Sequence, residues 1–71
     1  MISTELRPIR HDLAVFAAVD LFDKVAESEL LRWYPGSTGE QFLAGARRFI
    51  QGGYIVAEGS HGDIIYRKAD R

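Results

Sequence analysis

Residues 37–67 read STGEQFLAGARRFIQGGYIVAEGSHGDIIYR, and within this stretch the apolar period changes once. From residue 37 to about Gln51, Phe42, Leu43, Ala46, Phe49 and Ile50 recur at helical spacing, while Glu40, Gln41, Ala44, Arg47, Arg48 and Gln51 fall on the opposite side. Ser37 or Thr38 can cap this helix, with Glu40 and Gln41 where the reciprocal acceptor of a capping box stands. Gly52 and Gly53 end it, because glycine accepts the left-handed angles of a helix terminus. After them the period becomes two. Residues 54–58 and 63–68 are β-branched and aromatic segments, and Gly59, Ser60, His61 and Gly62 between them supply turn chemistry. Tyr54 and Tyr66 are expected to pair across the resulting hairpin.

Upstream the chain is helical. Asp12 is the expected N-cap, followed by an apolar stripe of Val15, Ala18, Val19, Phe22, Val25 and Ala26, with Asp20, Asp23, Lys24 and Glu27 opposite. Leu13 and Phe16 depart from this pattern and fall on the polar side. They are either scattered exposed apolar residues or a contact with a second copy or another partner. Ser28 can cap a short second helix through Trp33, with Glu29 favourable in its first turn; one bent helix over residues 12–34 is the alternative. Pro35 and Gly36 stop either version. Trp33 and Tyr34 read as closure of the core, and residues 1–10, with Pro8, as an extended arm or short strand.

The expectation is thus one domain over residues 1–71 with an α+β fold, mainly helical, in which three helices precede a C-terminal β-hairpin. A chain of 71 residues buries a single modest core, and with no cysteine it has neither disulfide nor thiolate metal site to reinforce it. Pairing between copies is the remaining source of buried area, so a homodimer is expected. The longest mainly apolar stretch, residues 13–22, is too short for a membrane span and is broken by Asp20. The N-terminus lacks a secretory pattern, which makes a cytoplasmic location the expectation. Net charge is −1, giving no global attraction to nucleic acid or anionic lipid. Its distribution is uneven: residues 1–31 hold three cations against six carboxylates, whereas residues 32–71 hold six against four.

Helix, helix, short turn, helix and hairpin is the order of a winged helix-turn-helix domain. Residues 37–67 resemble the recognition helix and wing of bacterial regulators of the ArsR and MarR kind. In those regulators the recognition helix closes on a glycine and two apolar residues, here Gly53, Tyr54 and Ile55. A strand, a glycine-containing wing tip and a second strand ending in an aromatic and a basic residue follow, here Tyr66 and Arg67. The first two helices match by order alone. The resemblance implies a cytoplasmic DNA-binding transcriptional regulator, often a homodimer, with the third helix in the major groove and the wing beside the backbone.

The residues expected to touch DNA are Ser37, Thr38, Gln41, Ala44, Arg47, Arg48 and Gln51 on the third helix and Arg67 and Lys68 on the hairpin. Arginine and glutamine present the donors that base edges and phosphates accept, Ala44 permits close approach, and Ser37 and Thr38 sit at a helix N-terminus. Glu40 on the same face, and Glu58 and Asp63 beside the wing tip, oppose an anion. The competing expectation is a protein-binding adaptor or inhibitor, of the kind mobile elements and phages carry as accessory proteins. Near-neutral charge and contacts through Leu13 and Phe16 speak for it. Catalysis is not expected: the sequence holds no cysteine nucleophile, phosphate-cradling glycine loop or metal-ligand motif, and so implies no cofactor. His61 beside Glu58 and Asp63 reads as a polar turn.

Overall fold

A computed structural model describes residues 9–70. Helix α1 spans His11–Phe22, strand β1 Lys24–Ala26, helix α2 Glu27–Trp33, helix α3 Gly39–Gln51, strand β2 Ile55–Ser60 and strand β3 Asp63–Lys68. Three helices therefore precede a C-terminal antiparallel hairpin, as expected. Residues 1–8 of the expected arm lie outside the described residues; Arg10, at its end, is extended and occupies the N-cap position of α1.

A short second helix through Trp33 is present as expected, whereas the strand between the first two helices overturns the alternative of one bent helix over residues 12–34. Val25 and Ala26 do not continue the α1 stripe. Asp23 adopts a left-handed conformation at φ 70° and returns its N–H to the Val19 carbonyl, which ends the helix. The chain then runs antiparallel along β3, with Lys24 opposite Arg67, Val25 opposite Tyr66 and Ala26 opposite Ile65. Alternation buries Val25 in the same core that a helical stripe was expected to serve. Two expected caps also move. Asp12 lies in the first turn of α1 rather than at its cap. Ser28 does not cap α2 but donates its hydroxyl to Asp63 Oδ2 at 2.7 Å, while Glu29 Oε1 accepts the Ala26 N–H at 3.1 Å at the helix start.

Helix α3 has the expected bounds. Thr38 Oγ1 accepts the Gln41 N–H at 3.3 Å and Gln41 Oε1 accepts the Thr38 N–H at 2.8 Å, so the capping box closes through Gln41. β3 has the expected bounds, whereas β2 starts one residue later than expected and runs on to Ser60, leaving a two-residue turn. His61 at φ 50° and Gly62 at φ 79° are both left-handed, the geometry whose twist matches that of the flanking strands. Ala57, rather than Tyr54, lies opposite Tyr66; Tyr54 stands outside β2 and is exposed. The sheet order is β1-β3-β2.

Every element contributes to one core: Val15, Ala18 and Val19 from α1, Val25 from β1, Leu30 from α2, Phe42 and Ala46 from α3, Ile55 from β2 and Tyr66 from β3. Burial pushes the Tyr66 phenol up to about 12, with the charge of Glu27 adding to the effect. Phe22 and Trp33 were expected inside and are not. Both are exposed, their rings 6.0 Å apart on the surface, whereas Tyr34 packs beside Phe42 at 6.0 Å.

α1 and α3 cross at Gly45. A Cβ there would lie 2.6 Å from the backbone nitrogen of Asp12 and 2.9 Å from the carbonyl carbon of His11. Glycine inside a helix costs about 0.5–1 kcal/mol relative to alanine, a cost offset here by contact between two backbones. Gly45→Ala therefore gains helix propensity and loses the crossing. The expected outcome is net destabilisation of at least about 1 kcal/mol, a fall of about 4–8 °C in the thermal midpoint followed by circular dichroism. An unchanged or raised midpoint would show that the helices do not approach this closely.

Candidate nucleic-acid interface

Because the apolar stripe of α3 turns toward α1 and the sheet, its other side is left to water. Glu40, Gln41, Ala44, Arg47, Arg48 and Gln51 are all exposed along that side. The expected contact residues of this helix thus form one continuous surface. They are not equally available. The side-chain oxygen of Gln41 and the hydroxyl of Thr38 are committed to the capping box. Ser37 is half-buried, its hydroxyl 3.0 Å from His11 Nε2, and His11 in turn meets Phe42 edge-on at 4.9 Å. Ser37 therefore joins the start of α1 to the turn before α3. Arg47 has no ion-pair partner among the described residues, and Arg48 has a long one, 3.7 Å to Asp12 Oδ2.

A residue missed by the sequence reading joins this surface. Arg10, assigned to the arm, donates to Asp12 at 3.0 Å from Nη2 and 3.3 Å from Nε. Arg10 and Asp12 line a shallow groove with Gln41, Ala44 and Arg48. Asp12 thus gathers two guanidinium groups at the α1–α3 junction, and its carboxyl is held below the usual carboxylate range, chiefly by the hydrogen bond from Arg10. The available signal in the sequence was a cation two residues before an acidic helix start.

Arg67 and Lys68 do not join it. Arg67 donates to Glu58 from Nε at 2.9 Å and Nη2 at 3.4 Å, on the sheet face opposite the side chain of Tyr66, and holds the Glu58 carboxyl low. Lys68 ends β3 and lies 3.6 Å from Asp23, just past the last turn of α1. Arg48 pairs in the first turn of the same helix, and twelve residues of α-helix span about 18 Å. Both hairpin cations therefore sit at its base, while its tip carries Ser60, His61 and Gly62. Glu58 and Asp63, the carboxylates near His61, are engaged by Arg67 and Ser28, and among the described residues no three His, Asp or Glu side chains converge as metal ligands.

The carboxylates of Asp12, Glu58 and Asp63 all titrate low in the folded chain because each accepts hydrogen bonds there. A depressed folded pKa contributes stability that is complete above the unfolded value, about 3.9 for Asp and 4.3 for Glu, and is lost as the pH falls through the folded values. The thermal midpoint should accordingly be flat above about pH 5 and fall in acid. Asp12→Asn should show a lower midpoint at neutral pH and a shallower acid fall. Coincident acid profiles for the two proteins would remove Asp12 from this account.

No described helix is long and apolar enough to cross a membrane. Comparison of the chain with protein-family models, with curated proteins and with solved structures finds no match.

Proposed function

We propose that the chain is a small cytoplasmic regulator that binds duplex DNA by seating α3 in the major groove. The observation that carries this reading is the outward face of α3, where Gln41, Ala44, Arg47, Arg48 and Gln51 are exposed together over a helix held rigidly from behind. Arginine and glutamine are the side chains that pair bidentately with guanine and adenine edges, and a small residue between them lets the helix approach. Arg10 and Arg48 at the groove rim are placed for phosphate contacts, which set register rather than sequence preference. The order of helices and hairpin is the one that the winged helix-turn-helix resemblance implies. Glu40 on the same face and a net charge of −1 limit the electrostatic contribution, so binding is modest and depends on few phosphates.

Arg67 is closed by Glu58 and contributes little to such a complex; the hairpin serves it through its tip and backbone. A second reading is favoured by a separate observation, the exposure of Leu13, Phe16, Leu21 and Phe22 on α1. In that reading the domain is a protein-binding adaptor or inhibitor, and α3 is a solvated face.

Fluorescence polarisation with mixed-sequence duplex at low and moderate salt separates the two. Arg48→Ala should weaken binding by about 5- to 150-fold if it reads a base, and the slope of log affinity against log salt should fall by about one if it meets a phosphate. Arg47→Ala is expected to behave likewise. No binding at low salt, or binding indifferent to both substitutions, would overturn the DNA reading in favour of the adaptor.

A further inference from the structure

The outward face of α3 carries one carboxylate that the fold does not employ. At 100° per residue, Glu40, Ala44, Arg47 and Gln51 fall within about 60° of one another and form the middle row of that face. Glu40 is exposed, and its carboxylate accepts no hydrogen bond and meets no cation among the described residues. An acidic residue in the first turn of a helix ordinarily complements the macrodipole, but α3 is already served. The capping box takes up the N–H groups of Thr38 and Gln41, and Glu27 of α2 lies so close over Gly39 that a Cβ there would collide with its carboxylate. Toward DNA, Glu40 is a cost, since it repels phosphate.

We infer that Glu40 sets the sequence preference of this face: it accepts from the amino group of a cytosine in the major groove while Arg47 donates to a guanine about three base-pair steps away. The inference rests on the DNA reading proposed above. A carboxylate only accepts. Cytosine presents an amino donor with no acceptor beside it, whereas adenine sets N7 next to its amino group and so repels a carboxylate, and guanine and thymine offer acceptors. The rest of the face consists chiefly of donors. Arg47 has no ion-pair partner among the described residues, which leaves its fork for the N7 and O6 of guanine, while Arg48 leans to Asp12 at the rim. Gln41 gives its oxygen to the Thr38 N–H at 2.8 Å and keeps only an amide donor, which bars the bidentate contact with adenine. Donors with one carboxylate among them match G·C pairs. Seven positions of helix separate Glu40 from Arg47, about 10 Å of rise, and at about 3.4 Å per base pair this is about three steps. Because the carboxylate disfavours every other edge, it discriminates by repulsion as well as by contact.

Selection from a random-sequence duplex pool by the full chain and by its Glu40→Gln variant tests this, followed by fluorescence polarisation on the enriched duplex and on mixed-sequence duplex. The wild-type chain should enrich a cytosine and a guanine about three steps apart. Glutamine pairs bidentately with adenine, so Glu40→Gln should replace the cytosine by adenine and keep the guanine, whereas Arg47→Ala should lose the guanine and keep the cytosine. On the duplex enriched by the wild type, Glu40→Gln should bind about 5- to 150-fold more weakly. On mixed duplex, relieved of one negative charge, it should bind at least as well as the wild type. Glu40 is exposed, so circular dichroism should be unchanged. Should the glutamine variant misfold, Glu40→Ala repeats the test, losing the cytosine without gaining an adenine. Equal tightening on both duplexes, or an enriched site that neither substitution at Glu40 alters, would sink the inference while leaving α3 a DNA-binding face. Failure to bind any duplex would instead remove the DNA reading, and this inference with it.

Discussion

The structure depends on one contact, the close passage of α3 across the start of α1 at Gly45. It fixes the rotation of α3 about its own axis. With Gly45 against the backbone of His11 and Asp12, Phe42 and Ala46 must enter the core, and Arg47 and Arg48 must leave it. The stacking of Phe16 on Phe49 at 4.9 Å continues the same contact along both helices. Everything inferred about the outward face of α3 follows from this rotation, since a turn of 100° per residue either buries an arginine or exposes a phenylalanine.

Around that contact, small polar links hold the remaining elements in register. Ser28 bonds Asp63 and so ties the start of α2 to the start of β3; β1 completes the sheet on the other side of β3; His11 bonds Ser37 and ties α1 to the turn before α3. The two side-chain links are at least partly exposed, so each contributes little to stability on its own. Their value is positional. The apolar core is small and made largely of smooth side chains, and such cores reach the correct volume in several arrangements unless polar contacts select one.

The parts legible in the sequence were those set by local chemistry. Thr38 and Gln41 cap α3, Gly52 and Gly53 end it, and His61-Gly62 turns the hairpin, all within a few residues of the groups they satisfy. The parts that were not legible depend on contacts distant in sequence. Val25 fits a helical stripe and a strand equally well, and what decides is its pairing with Tyr66, forty-one positions later. Ser28 and Ala26 compete for a cap, and Ser28 is withdrawn by Asp63. Phe22 and Trp33 look like core in any window, but a core already closed by Val25, Leu30 and Tyr66 has no room for them. In the candidate interface, the α3 residues were visible as a face; the contribution of Arg10 and the closure of Arg67 by Glu58 were not, because neither follows from periodicity.

α1 links these surfaces by serving three sides at once. Its inner residues Val15 and Val19 meet the core, its first turn holds Arg10 and Arg48 through Asp12, and its outer row runs through Leu13, Ala17 and Leu21. At 100° per residue the outer row lies about 180° from Val15 and Val19. The outer row therefore lies on the side of α1 away from the core. One short helix is thus apolar on its outer row as well as its inner one, while the polar, cationic face of the domain is carried by α3.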